Sequence, residues 1–104
     1  MQLAKGLRAL ASPTRLRILE LLRDPAAFEG PRTSDGSPIG VTAKALIREL
    51  RCTQPTLVGH MEILGAMGLV DSKRVGRWMV YWRDEERIRQ LKQTIMDQLL
   101  PPKA

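Results

Sequence analysis

The sequence predicts a mainly α-helical domain of five helices carrying one small two-stranded β-hairpin. Three observations predict it. Apolar residues recur at three- and four-residue spacing over most of the chain, the period drops to two only between residues 69 and 82, and side chains able to cap a helix precede several of the helical runs. The chain has 104 residues, 43% of them apolar and 27% charged, which is one small domain's worth of sequence with enough Leu, Ile, Val and Met for a core. At this size burial is incomplete, so pairing with a second copy is expected.

Leu3, Leu7 and Leu10 mark a first helix that stops near Ala11. Ser12-Pro13-Thr14 then starts a second: the serine hydroxyl can accept from orphan amides, and Pro13 falls at the first helical position, where no donor is missed. Leu16, Ile18, Leu19, Leu21 and Leu22 give that helix a broad buried face, with Arg15, Arg17, Glu20 and Arg23 outside. Residues 24–40, punctuated by Pro25, Gly30, Pro31, Gly36, Pro38 and Gly40, read as a long loop with neither helix nor strand. Its one aromatic, Phe28, is expected to be exposed or packed at an edge.

Thr42 caps a third helix, Ala43 to Leu50, with Ala43, Leu46, Ile47 and Leu50 in one stripe. The chain turns through Arg51 and Cys52 to a second cap, Thr53, and a helical run from Gln54 to Met67 ends at Gly68. Leu57, Met61, Leu64 and Met67 pack along one side of it, leaving Gln54, Thr56, Gly59 and Glu62 on the other. Leu69 to Ser72 begins the period-two segment, Gly76 supplies the positive φ of a tight connection, and Arg77 to Trp82 is the returning strand. Asp84, Glu85 and Glu86 favour a helix N-terminus, and Ile88, Leu91, Ile95 and Leu99 carry one stripe over residues 84–100 until Pro101-Pro102. No internal repeat or second domain is apparent, so residues 1–104 are read as one domain.

The longest apolar runs, such as Met79-Val80-Tyr81-Trp82, fall far short of the roughly 20 residues that span a bilayer. The N-terminus lacks the apolar core and cleavage pattern of a secretory signal, and the lone Cys52 forms no internal disulfide; the chain is expected in the cytoplasm, away from membranes. One His, one Cys and scattered carboxylates supply neither a metal site nor a nucleophile with its base, so no enzyme activity, metal or cofactor is expected. The formal net charge of +6 points to a polyanion. Between Lys44 and Arg83 seven basic residues face three acidic ones, which is +4 of that total. A helix, tight turn and helix followed by a hairpin with a basic tip reads as a winged helix-turn-helix, whose second helix, residues 54–67, enters the major groove of double-stranded DNA.

The runs ALASPTRLRILELL (9–22), TQPTLVGHMEILGAMGLV (53–70) and VGRWMVYWR (75–83) resemble the ArsR/SmtB family of bacterial repressors, over nearly the whole chain except the loop. The resemblance implies a homodimer paired through its first and last helices that blocks transcription until an effector, unknown here, releases it. It also marks two departures. Thr42 and Lys44 stand where metal-sensing members carry Cys-x-Cys, so metal sensing is not implied. Val58, Gly59 and Glu62 stand where relatives often place Ser, Arg and Lys, which shifts readout toward the wing and toward DNA shape.

The candidate DNA contacts are Lys44, Arg51 and Thr53 around the turn, Gln54, Thr56, Gly59 and His60 on the second helix, and Lys73, Arg74 and Arg77 on the wing (73–77). For His60 a packing role competes with phosphate contact. The candidate dimer residues are Leu3, Leu7 and Leu10 with Ile88, Leu91, Ile95 and Leu99. Cys52 is either a redox switch inside the turn or an apolar plug of it, and Trp78 and Trp82, on one strand face, either pack or line an effector pocket. Two alternatives accompany the repressor reading: a winged-helix interaction module that no longer reads DNA, and a repressor switched through Cys52.

Overall fold

The computed structural model describes residues 3–99. In chain order its elements are α1 (Leu3–Leu10), α2 (Pro13–Leu21), β1 (Val41–Thr42), α3 (Ala43–Leu50), α4 (Gln54–Ala66), β2 (Val70–Val75), β3 (Trp78–Arg83) and α5 (Glu85–Leu99). The five helices and the hairpin thus stand where the sequence places them. Leu100 and Pro101-Pro102, expected to end the last helix, lie outside the described residues.

The caps explain the boundaries. Ser12 accepts from the Arg15 amide at 3.2 Å, Thr42 from Ala45 at 3.1 Å and Thr53 from Thr56 at 3.3 Å, each three residues on, where an orphan donor needs a partner. Asp84 does the same for the Arg87 amide at 2.9 Å and adds negative charge to the N-terminus of α5. Gly68, at φ +72°, continues the chain after Met67 in the left-handed region that a helix end requires.

Ile18, Leu46, Leu57, Leu64 and Leu69 meet Val41 in a fully buried centre where α2, α3 and α4 close on the sheet. Each such side chain contributes about 1.5–3 kcal/mol on burial. Phe28 packs at the edge of this core, as expected. Leu16 departs from the sequence reading: it is 51% exposed, because the broad apolar face of α2 exceeds the width that its neighbours cover. Arg15 departs in the other direction and is half-buried.

The sheet order is β1-β3-β2, all antiparallel, with Val41 opposite Tyr81 and Thr42 opposite Val80. Sequence periodicity overlooks β1, because two residues are too short to show a period. Gly40 is buried beside it, and a Cβ there would meet the Tyr81 carbonyl oxygen and stand 2.9 Å from Val80 Cγ1. In the hairpin Val75 pairs with Trp78, leaving Gly76, at φ +59°, and Arg77 as a two-residue turn.

The 24–40 segment carries more structure than a loop reading supplies. A single 3-10 turn spans Pro25–Ala27, and Arg32 bridges Pro38 around a tight reversal. Within that reversal the Asp35 carboxylate accepts from the Thr33 hydroxyl and, at 3.0 Å, from the Ser37 amide. Those donors, Thr33 first, lower its pKa from 3.8 to about 2.

Two outcomes follow. Gly40→Ala should destabilise the fold by about 1–3 kcal/mol in urea denaturation, since backbone must move to admit the methyl group, and wild-type stability would refute the close approach. Because the Asp35 pKa is depressed on folding, the turn's support is complete above the ordinary carboxylate pKa and fades as pH falls toward about 2. Carboxyl-carbon NMR should find a midpoint there, and Thr33→Val should move it upward.

Candidate nucleic-acid interface

The α3–α4 unit is built around a reversed turn. Arg51 adopts φ 52°, ψ 46°, a left-handed conformation that lets the Cys52 amide reach the Ile47 carbonyl at 3.3 Å while the Arg51 side chain stays exposed. Cys52 is half-buried against the core, which is the plugging position of the two offered for it. Thr53 caps α4, so the helix begins with its free amides and with Gln54 and Thr56 in solvent. One face of α4 buries Leu57, Met61 and Leu64, and the other presents Gln54, Thr56, Gly59 and Glu62, as the periodicity predicts. Nothing lies within 4 Å of a Cβ at Gly59, so that stretch of the helix surface is open.

The structure brings four of the predicted residues to one place. Lys44 from α3, Gln54 from the start of α4, and Arg74 and Arg77 from the wing line a single cleft of about 600 Å³. The Arg77 guanidinium lies over the Trp78 ring, 5.1 Å from its centroid, which holds this cation at the wing tip. Arg51, Thr53, Thr56 and Gly59 are exposed along the same turn and helix without lining the cleft. Lys73 is exposed on the opposite face of the hairpin, because it pairs with Val80 while Arg74 pairs with Met79. The same register puts Trp78, Val80 and Trp82 on one strand face, as read from the sequence. There Val80 is fully buried and both tryptophans are half-buried.

Two arginines behave differently from the sequence reading. Arg15 turns inward: Nε donates to the Ala9 carbonyl at 2.5 Å, Nη2 to the Arg8 carbonyl at 3.3 Å, and Nη1 lies 3.2 Å from His60 Nδ1. A guanidinium only donates, so Nδ1 is the acceptor in this contact. His60 is therefore tied back to α2 and to the end of α1, a position that opposes its predicted phosphate contact. Arg83, counted above with the basic surface, is drawn in between three elements: Nη1 donates to the Leu19 carbonyl at 3.1 Å, Nη2 donates to Glu85 Oε2 at 3.1 Å, and Nε lies 2.7 Å from Oε1 as an ion contact. Both residues were missed as ties because charge alone reads as exposure, and no sequence signal marks an arginine whose partners are distant carbonyls.

Of the predicted dimer residues, Leu7 is 40% exposed and Leu99 65% exposed, whereas Leu3, Leu10, Ile88 and Ile95 are half-buried. Leu91 is a correction. It is 3% exposed, and a Cβ at Gly6 would come 2.6 Å from its Cδ1, so it fills the contact between α1 and α5 of its own chain and has no surface left for a partner. Leu16, at 51% exposure and not predicted for it, and Met96, at 44%, enlarge the apolar surface beside α5. Among the described residues no three His, Cys, Asp or Glu side chains come together as a metal site, and no helix is long and apolar enough to cross a membrane.

A helix-turn-helix whose second helix is open along one face, followed by a β-hairpin with cations at its tip, defines a winged helix-turn-helix protein. Comparisons agree. The chain is 35% identical over 85 residues to the uncharacterized HTH-type transcriptional regulator YbzH of Bacillus subtilis, covering 81% of this chain and 85% of that protein. An ArsR-like transcriptional regulator from Rhodococcus sp. RHA1 superposes with TM-score 0.65 at 27% identity, over 92% of this chain and 77% of that one. The solution structure of a homodimeric winged helix-turn-helix DNA-binding domain from Mycobacterium bovis, a possible ArsR-family regulator, gives TM-score 0.62 at 26% identity, over 91% and 78% of the two chains. No family model matches the sequence. The protein belongs to the ArsR family of winged helix-turn-helix transcriptional regulators.

The Arg15 tie has a direct check. Long-range ¹⁵N–¹H correlation of His60 should show the Nε2–H tautomer, and an Nδ1–H ring would refute the contact. Arg15→Ala should cost about 1–3 kcal/mol, because two carbonyls and an imidazole lose their donor in a partly buried setting.

Proposed function

We propose that this regulator is a homodimeric repressor that reads double-stranded DNA with α4 in the major groove and the wing against the adjoining backbone. The observation that carries it is the convergence of Lys44, Gln54, Arg74 and Arg77, from three separate elements, on one cleft beside the open face of α4. Lys44, Arg51, Thr53 and Arg74 fit phosphate contacts, which position the helix. Gln54 has the amide geometry to bond adenine, and Thr56 can meet a phosphate or a thymine methyl. Gly59 carries no side chain to read a base, so specificity shifts toward DNA shape, where Arg77 suits a narrow minor groove. Lys73, on the far face of the wing, and His60, held by Arg15, are lesser contributors.

The dimer is formed by α1 and α5, with Leu3, Leu7, Leu10, Ile88, Ile95 and Leu99 joined by Leu16 and Met96. Pairing covers apolar surface that a monomer leaves wet, and it sets two recognition helices about one turn of DNA apart. The chain works as a single domain in the cytoplasm, without catalysis, metal or cofactor of its own, and an effector still to be found releases the DNA. One observation favours a second reading: Val58, 37% exposed on α4 next to the bare Gly59, puts an apolar side chain where a protein partner gains more than DNA.

Fluorescence anisotropy separates the two. With the protein's own upstream DNA, affinity should exceed that for a scrambled duplex by at least roughly 10³-fold, and Arg74→Ala, which removes one phosphate contact from each protomer, should reduce the salt slope by about 1.8. Equal binding of both duplexes, or none, would sink the repressor reading and favour the protein-docking one.

A further inference from the structure

We propose that the cleft between the wing and the α3–α4 unit binds a small organic anion with a flat apolar body, a fused-ring aromatic carboxylate in chemical class, and that this ligand competes directly with DNA. The competition rests on the DNA-binding reading; the ligand site rests on the cleft alone. At about 600 Å³ the cleft has the size of a small-molecule site. Its apolar lining is made by Ala43, Ile47 and Met79, with Trp78, which leaves β3 on the opposite face from Met79, at its edge beside Arg77, while Lys44, Arg74 and Arg77 stand around it. Among the described residues no carboxylate lines it.

DNA accounts for the cations and leaves the apolar lining unexplained. A phosphodiester backbone gains from Lys and Arg but nothing from Ile47 or Met79, whereas a flat ring gains on every apolar atom it covers. Arg77 is already stacked on Trp78, so a planar cation and an indole are held in place before any ligand arrives. Lys44 and Arg74 can then take the carboxylate. A neighbouring hollow of about 140 Å³ shares Lys44, Arg77 and Trp78 but sets the Glu29 carboxylate against Arg48, so it is smaller and less positive than the cleft, which is the better seat for the anion. A ligand on Lys44, Arg74 and Arg77 would occupy the cations that α3 and the wing offer to phosphate, so release of DNA needs no change of fold.

The chain's two tryptophans give two indole N–H signals, assignable with Trp82→Phe. In the full-length protein without DNA, 2-naphthoate should move the Trp78 signal saturably and leave that of Trp82 in place. Lys44→Gln and Arg74→Gln, both at exposed positions that the fold tolerates, should each weaken binding about tenfold, and neutral 2-naphthol should bind similarly weakly. A Trp78 signal that ignores naphthoate, or follows acetate of equal ionic strength equally well, overturns the site, as do unchanged affinities in both variants. Naphthoate should also displace bound upstream DNA beyond the acetate control, and its failure to do so overturns the competition. Naphthoate binding in a protein that binds no duplex would remove the repressor reading and keep the site. Duplex binding with a silent Trp78 would do the reverse.

Discussion

The pairing of Val41 and Thr42 with Tyr81 and Val80 is the constraint on which the rest of this structure depends. It is only two residues long, yet it fastens the start of α3 to the central strand of the sheet. Thr42 serves twice, as a strand residue opposite Val80 and as the cap that starts α3 through the Ala45 amide. A helix whose first residue is held by a sheet has little freedom to swing. The wing, being the other side of β3, is thereby held at a set distance from Lys44 and Gln54. The cleft is the space this arrangement leaves, and Gly40, where no side chain fits, is what allows the strands to approach.

Two arginines extend the same rigidity outward. Arg83 bonds the end of α2 and the first turn of α5 from the edge of β3, and Arg15 bonds the end of α1 and the middle of α4 from α2. Carbonyls near helix ends lack intrahelical donors, and a guanidinium with five N–H groups can serve several at once. These cations are spent inside the fold, so the charge that faces a polyanion is concentrated on Lys44, Arg51 and the wing. The elements proposed for pairing, α1 and α5, are thus tied by hydrogen bonds to those proposed for DNA.

Much of the fold is legible in the chain. The caps Ser12, Thr42 and Thr53, the stripe Leu57-Met61-Leu64 and the glycine of the hairpin turn each act within a few residues of themselves, so local patterns reveal them. The open face of α4 was equally legible, since a helix that buries one side shows the other. What escaped was non-local: the short β1 strand, the inward turn of Arg15 and Arg83, the exposure of Leu16, and the capture of Leu91 by Gly6 in the same chain.

The sequence by itself determined the number and order of the helices, the capped starts of α2, α3 and α4, the position of the wing, and a basic balance suited to nucleic acid. These follow from periodicity, capping and charge, which are properties of neighbouring residues. The tertiary structure alone decided which cations converge and which are diverted. It also decided which of the two wing faces meets α3 and α4, that of Arg74 and not that of Lys73, and that apolar side chains lie beside Lys44, Arg74 and Arg77. The physical reason is distance along the chain: whether an arginine meets solvent or a carbonyl dozens of residues away depends on how the elements pack, and local pattern carries no record of that.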